Sequence, residues 1–285
     1  KPLPASLLFE RSTVRALAAG AESPSALRTG ARAVVGTVTI TAWAARLPAG
    51  VSAPRLLALA AGAGADLCHA VPAERWASDD GAIVPSAACY GAFVDSVELF
   101  DAPRFGVRSG EMATLDPQQR LLLDLGGETS TAADPLPRDT GVALGAVFND
   151  FVDACGAETG VYALTGSALA AASGRLSFAF GWHGPCLTVE TACSSALVAC
   201  HVAATHLRGA ECAHHLAAGV NLMLTPRTMA FVAAAGALST TGRSRVYDVR
   251  ADGYARSEGA VIAVLAAVDA AGHACHHPHL AATAV

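Results

Sequence analysis

One cysteine in this chain is placed for covalent chemistry. In Glu190-Thr191-Ala192-Cys193-Ser194-Ser195-Ala196 it stands between an apolar, strand-like run and a helix rich in small residues. Upstream, Gly184-Pro185-Cys186-Leu187-Thr188-Val189 reads as a turn entering a short β-rich segment. Downstream, Ala196, Leu197, Cys200, Ala203, Ala204 and Leu207 recur at helical spacing between Ser194 and Leu207, and Arg208-Gly209 closes the run. Cys193 is therefore expected at a strand-to-helix turn. The unpaired amides and positive end of a helix favour thiolate over thiol there and stabilise a developing oxyanion, which suits acyl transfer. A buried structural thiol is the alternative, since free cysteine is among the most buried residue types and the chain has eight.

The elements that must position this thiol follow from periodicity. Ala33 to Ile40 reads as a first buried strand, and Pro54 to Ala63 as a helix that glycines then break. Ser78 to Ala87 is polar and interrupted by glycine and proline, hence a surface excursion. Pro117 to Leu125 is helical, with Asp116 as cap ahead of proline at the first helical position. Thr140 to Val147 is a strand, Leu164 to Arg175 a helix, His215 to Leu224 a strand, and Gly259 to Val268 the last strand. Strands alternating with helices predict an α/β layered domain whose mainly parallel sheet is buried on both faces.

Composition narrows the function classes. An apolar fraction of 53% in 285 residues builds a substantial core, and because much of it is alanine it points to packed small-residue helices. No continuous strongly apolar run reaches about 18 residues and no cationic segment with an apolar stretch heads the chain, so neither a membrane span nor a signal peptide is expected. A net charge of −5 argues against a nucleic-acid partner. Eight cysteines without compact repeated spacing suit free thiols in a reducing compartment. No metal site is expected: Cys193 and Cys200 lie two helical turns apart, and the ligand-rich tail His273-Ala274-Cys275-His276-His277-Pro278-His279 lacks a second ligand loop. No phosphate-binding or dinucleotide-binding glycine fingerprint is present.

The stretch from Gly184 to Ala199 closely resembles the active-site signature of β-ketoacyl synthases, specifically ketosynthase domains of modular type I polyketide synthases. Other segments match that family in the same order. Val71-Pro72-Ala73-Glu74-Arg75-Trp76 resembles its Pro-x-Glu-Arg-Trp motif, and Phe100-Asp101-Ala102-Pro103-Arg104-Phe105-Gly106 its Phe-Asp-x-x-x-Phe-Gly motif. Met112 to Leu123 is similar to its Met-Asp-Pro-Gln-Gln-Arg stretch, Asn221 to Pro226 to Asn-x-x-Leu-x-Pro, and Asp252 to Gly259 to Asp-Gly-Tyr-x-x-Gly-Glu-Gly. The resemblance runs from about Val34 to Val268. It implies a thiolase-like fold, α-β-α-β-α in layers, of which this chain holds largely the first half, and residues 269–285 form a tail.

The resemblance also implies a chemistry. Cys193 takes an acyl group from a phosphopantetheine thioester on an acyl carrier domain, then undergoes decarboxylative Claisen condensation with a malonyl-type thioester. No cofactor is bound directly, and the intact synthase is expected to be a homodimer in a cytoplasmic or organellar setting. The two histidines that assist this chemistry in the family lie in motifs absent from this sequence, so the chain alone is expected to be acylated without condensing. Ala5 to Ala18 resembles the last helix of a carrier domain, an ordinary amino-terminal helix being the alternative, which gives residues 1–20 as carrier tail and 21–33 as linker. Glu190 is expected to make a strand-end hydrogen bond, His183 to be a turn residue, and Glu258 to hold local structure. Ser257 replaces a family glycine and restrains its loop if that glycine needed positive φ. His201 and His206 lie on the helix after Cys193 and do not reach the thiol. The rival classes are a noncatalytic interaction or decarboxylating synthase homologue, and a cysteine hydrolase, which would need a base that no second motif supplies.

Overall fold

The computed structural model describes residues 37–76, 86–132, 135–156, 160–268, 279–280 and 283. The expected carrier tail and linker, most of the surface excursion and most of the histidine-rich tail lie outside these residues.

Strand β1 (Thr37–Arg46) and helix α1 (Pro54–Gly62) come first, followed by the short strands β2 (His69–Ala70) and β3 (Tyr90–Gly91). Helices α2 (Ser109–Met112) and α3 (Pro117–Ala132) lead to β4 (Gly141–Gly145). Next come α4 (Phe151–Ala154), α5 (Ala163–Ser167), α6 (Leu169–Phe180) and β5 (Cys186–Val189). Helix α7 (Ser195–Arg208), β6 (His214–Asn221), α8 (Pro226–Ala234), β7 (Gly259–Val268) and β8 (His279–Leu280) complete the described chain.

Six strands form one sheet in the order β5-β4-β6-β7-β1-β8. β4 pairs in parallel with β5 and β6, whereas β7 runs antiparallel to both β6 and β1, and β8 antiparallel to β1. The sheet is therefore mixed, which corrects the expectation of a mainly parallel one. The alternation of elements correctly predicts β5 and β6 beside β4, because helices cross over between them. It does not reveal that β7 enters from the opposite end.

Side-chain alternation along the strands separates two cores. Val142 and Leu144 of β4, Leu216, Ala218 and Val220 of β6, and Ile262 and Val264 of β7 pack with Leu121, Leu122 and Leu125 of α3 and Leu176 of α6. Their neighbours Ala143, Ala217 and Leu265 face the other way, onto Ala199, Ala203, Ala204 and Leu207 of α7. Helices thus cover both faces of the sheet, as expected, and the small α7 residues let that helix lie close. A bulge between Ile40 and Ala42 shifts the register of β1. It moves Val38 and Ile40 to the α7 side and Ala42 and Ala44 to the α3 side, so one strand feeds both cores.

Helix boundaries depart from the expected ones where tertiary contacts extend or break a pattern. α3 continues seven residues past Leu125, to Ala132. The helix expected from Leu164 to Arg175 is two helices, because Ala168 adopts an extended conformation (φ −74°, ψ 120°) between α5 and α6. Asp116 caps α3 as expected, its Oδ1 accepting from the Gln118 amide at 2.7 Å. Apolar side chains stand exposed on the helices: Leu197 of α7, Leu164 of α5 and Phe178 of α6. No helix among the described residues is long and apolar enough to cross a membrane.

Candidate active site

β5 carries the chain toward Cys193 and is anchored on one side by β4 and on the other by α6. Val189 pairs with Gly145, the Ala146 amide donates to the Val189 carbonyl at 3.2 Å, and Thr188 Oγ1 donates to the Leu169 carbonyl at 3.1 Å and meets Ser173 Oγ at 2.9 Å. Beyond Val189 the backbone must reverse within a few residues to enter α7. It does so through Ala192, whose φ of +54° lies in the left-handed region that residues with a Cβ adopt at a cost.

Side-chain hydroxyls hold this turn. Ser195 Oγ accepts from the Thr191 amide at 2.8 Å and donates to the Ala192 carbonyl at 2.7 Å. Ser194 Oγ donates to the Thr191 carbonyl at 2.7 Å and meets Thr191 Oγ1 at 2.9 Å. The Ser194 amide donates to the Thr191 carbonyl and the Ser195 amide to the Ala192 carbonyl. Cys193 sits at the crest of this knot, exposed.

Glycines beneath the turn let α7 press onto the sheet. A Cβ on Gly145 would overlap the peptide joining Ser195 to Ala196, and one on Gly219 would stand 2.8 Å from the Ala196 Cβ. The first turn of α7 therefore rests on the ends of β4 and β6, which sets the height of Cys193 above the sheet.

The remaining thiols divide by environment. Burial pushes Cys200 up from the ordinary thiol value and raises Cys212 to about 11, and burial also raises Cys68. Cys186, at the head of β5, is exposed like Cys193, so exposure alone does not set Cys193 apart. No disulfide joins the seven described cysteines, and among the described residues no cluster has the makings of a metal site.

The histidines of α7 are committed elsewhere, as expected. His201 Nδ1 lies 2.9 Å from Thr283 Oγ1, and His206 Nδ1 lies 3.0 Å from His215 Nε2. His183 is exposed in the loop between α6 and β5, its amide donating to the Arg138 carbonyl at 2.6 Å. Among the described residues no histidine is hydrogen-bonded to Cys193. Two expectations are corrected. Glu190 is exposed and makes no strand-end hydrogen bond to a described residue, because the turn's own hydroxyls already satisfy its amides. Ser257 does not strain its loop, since the positive φ in that segment belongs to Gly253 and Ser257 Oγ simply donates to the Glu258 carbonyl at 2.9 Å.

The other sequence motifs prove to be architectural. Glu258, 3% exposed, accepts from the Val94 amide at 2.7 Å, the Met223 amide at 2.8 Å and the Arg75 guanidinium at 2.9 Å. It holds structure, as expected, and joins three separate motifs. Gln118 donates to the Phe148 carbonyl and accepts from the Leu222 amide, while Gln119 donates to the Gly166 carbonyl at 2.8 Å and accepts from Arg175 Nε at 2.6 Å. Asp150, which no sequence motif singles out, accepts from the Leu224 and Thr225 amides and from Thr228 Oγ1 at 2.6 Å, tying the entry of α8 to the start of α4. An isolated acid before an apolar segment carries no signal of such a role.

Comparison with known proteins places this arrangement. The family model described as "Beta-ketoacyl synthase, N-terminal domain" matches residues 36–271. A mycocerosic acid synthase-like polyketide synthase of Mycolicibacterium smegmatis is 38% identical over 250 residues, covering 82% of this chain and 12% of that protein. A non-reducing polyketide synthase of Aspergillus calidoustus is 38% identical over 251 residues, covering 85% of this chain and 10% of that one. Among solved structures, the ketosynthase from module 6 of the bacillaene synthase of Bacillus subtilis 168 superposes with a TM-score of 0.73 at 27% identity, over 81% of this chain and 40% of that chain. The oxazolomycin ketosynthase domain of Streptomyces albus JA3453 gives a TM-score of 0.72 at 27% identity, over 86% and 44%. The chain thus spans about a tenth of the curated relatives and about two fifths of the solved ketosynthases.

Proposed function

Because the chain belongs to the β-ketoacyl synthase family, we propose that it is the acyl-accepting part of a polyketide ketosynthase and that Cys193 is its nucleophile. The observation that carries this reading is the exposed thiol at the crest of a left-handed turn, between the end of β5 and the start of α7. The Cys193 thiolate attacks the carbonyl carbon of an acyl thioester presented on the phosphopantetheine of a carrier domain. The tetrahedral oxyanion forms beside the Cys193 amide and the positive end of α7; collapse breaks the carbon–sulfur bond, and the carrier thiolate leaves and takes up a proton.

Condensation follows on the acyl-enzyme. A malonyl-type thioester loses carbon dioxide, and the electron pair of the broken carbon–carbon bond becomes an enolate. The enolate attacks the acyl carbonyl, a new carbon–carbon bond forms, and Cys193 thiolate is expelled. Hydrogen-bond donors that stabilise the enolate come, in this reading, from the two histidine motifs the resemblance implies, which this sequence does not contain. The chain by itself is therefore an acyl acceptor and not a condensing enzyme. Two copies pair in the intact synthase, a reading supported by the position of β5 at the edge of the described sheet, and the free thiols suit a cytoplasmic setting.

The test supplies an acyl thioester and a malonyl-carrier to the 285-residue chain and to a chain extended to the length of the solved ketosynthases. β-Ketoacyl product from the extended chain alone, abolished by Cys193→Ala, is the expected result. Product unaffected by Cys193→Ala refutes the assignment. Carbon dioxide release without β-ketoacyl product identifies a decarboxylating homologue instead.

A further inference from the structure

We propose that Ser195 is a positioning residue for Cys193: its hydroxyl clamps the left-handed turn that presents the thiol. The inference rests on the reading of Cys193 as the acyl acceptor. Ser195 is 3% exposed, so its hydroxyl meets neither substrate nor solvent. Both hydrogen-bonding functions of that hydroxyl are spent on the turn, one accepting from the Thr191 amide at 2.8 Å and one donating to the Ala192 carbonyl at 2.7 Å. These partners flank the residue at φ +54° that lifts Cys193 out of the helix path.

The clamp is needed because the neighbouring elements hold the two ends of the turn and not its middle. Gly145 and Gly219 seat Ala196 and the Ser195 carbonyl on the sheet, and Thr188 seats the end of β5 on α6. Between these anchors the backbone bears the cost of a non-glycine residue in the left-handed region, of order 1–3 kcal/mol, which favours relaxation to another conformation unless contacts oppose it. The buried Ser195 hydroxyl opposes it from beneath. Ser194 also bonds the turn, but it is exposed and binds only Thr191, so it does not restrain Ala192 directly. Losing the Ser195 hydroxyl leaves the Ala192 carbonyl held by the Ser195 amide alone, at 3.1 Å, and takes the acceptor from the Thr191 amide, which loosens the turn and carries Cys193 away from the pose in which its thiolate meets a carbonyl.

The experiment measures iodoacetamide alkylation of the full chain, resolved by peptide mass spectrometry, at Cys193 and at Cys186 across about pH 6 to 9. In the parent the Cys193 rate exceeds the Cys186 rate; equal rates there refute the nucleophile assignment, separately from the positioning role. Ser195→Ala is expected to lower the high-pH plateau at Cys193 about tenfold, with the Cys186 rate unchanged and with Ser195→Thr restoring most of the loss. A Cys193 plateau within about twofold of the parent, or an equal fall at both cysteines, overturns the proposal. Amide exchange on the unaltered chain gives a second test that does not depend on the variant folding: the Thr191 amide is expected to be protected although the residue is exposed, and free exchange there refutes the clamp.

Discussion

The Arg75 guanidinium lies 2.9 Å from the Glu258 carboxylate and so joins two residues 183 positions apart in the sequence. Glu258 is buried, and it also accepts from the Val94 and Met223 amides. Burial raises its pKa and the Arg75 charge opposes that rise. The pair holds the segment before β3 against the loops that enter α8 and β7. Without it the segments carrying Arg75, Val94 and Met223 lose a common fastening.

This geometry ranks two substitutions and their combination. Arg75→Met leaves Glu258 with two amide donors and no cation, whereas Glu258→Leu leaves two buried amides without an acceptor, each costing about 1–3 kcal/mol. Urea unfolding is expected to show a larger loss for Glu258→Leu than for Arg75→Met, on the order of 3 kcal/mol or more, with the double variant still well below the parent. A double variant as stable as the parent would mean that the two amides find other partners.

His215 predicts a pH dependence. It is fully buried, and burial lowers its pKa from 6.5 to about 4. The unfolded chain binds this proton more readily, so the native state loses stability as pH falls from about 6.5 to 4, by on the order of 3 kcal/mol. Asp116 runs the other way: burial pushes its pKa up to about 6, so folding gains as pH falls through about 6 toward 3.8. The two trends oppose each other in the parent. His215→Gln removes one of them, and its stability relative to the parent is expected to improve by up to that amount between pH 7 and about pH 4. Parallel stability profiles for the two proteins would contradict a buried neutral His215.

Gly145→Ala tests the seat of α7. The added methyl would overlap the Ser195–Ala196 peptide, so α7 must lift from the sheet, at a cost of about 1–3 kcal/mol for overpacking. Reduced stability together with slower Cys193 modification is the expected outcome. Gly174, in the interior of α6 with open space around a would-be Cβ, gives the contrast: Gly174→Ala is expected to raise stability by about 0.5–1 kcal/mol, as for any exposed helix-interior glycine, and to leave Cys193 modification unchanged. Equal behaviour of the two variants would show that helix height does not matter.

Much of this was legible in the sequence because the informative signals are local. Apolar spacing in Ser194 to Leu207 specifies α7 almost to the residue, and Gly259 to Val268 specifies β7 without error. The strand–cysteine–helix order places Cys193 at a turn, and the resemblance accounts for the order of the remaining motifs. Strand direction was not legible, because β7 pairs antiparallel with both β6 and β1 through contacts that no local pattern encodes. The break at Ala168 was hidden for a related reason: alanine is a good helix former, and the extended conformation there is imposed by packing. The Ala192 turn was equally silent, since nothing in an alanine announces a positive φ. The roles of Gln119, Asp150 and Glu258 emerge only when distant segments meet.

The most direct test of the account is where an acyl group lands. The full chain is incubated with a short acyl thioester of N-acetylcysteamine, and acyl occupancy is followed by peptide mass spectrometry at all eight cysteines. The account predicts that the acyl group accumulates first at Cys193, that Cys186 lags although it too is exposed, and that Cys193→Ala removes the early adduct. Early acylation shared equally with Cys186, or an early adduct that survives Cys193→Ala, would contradict it.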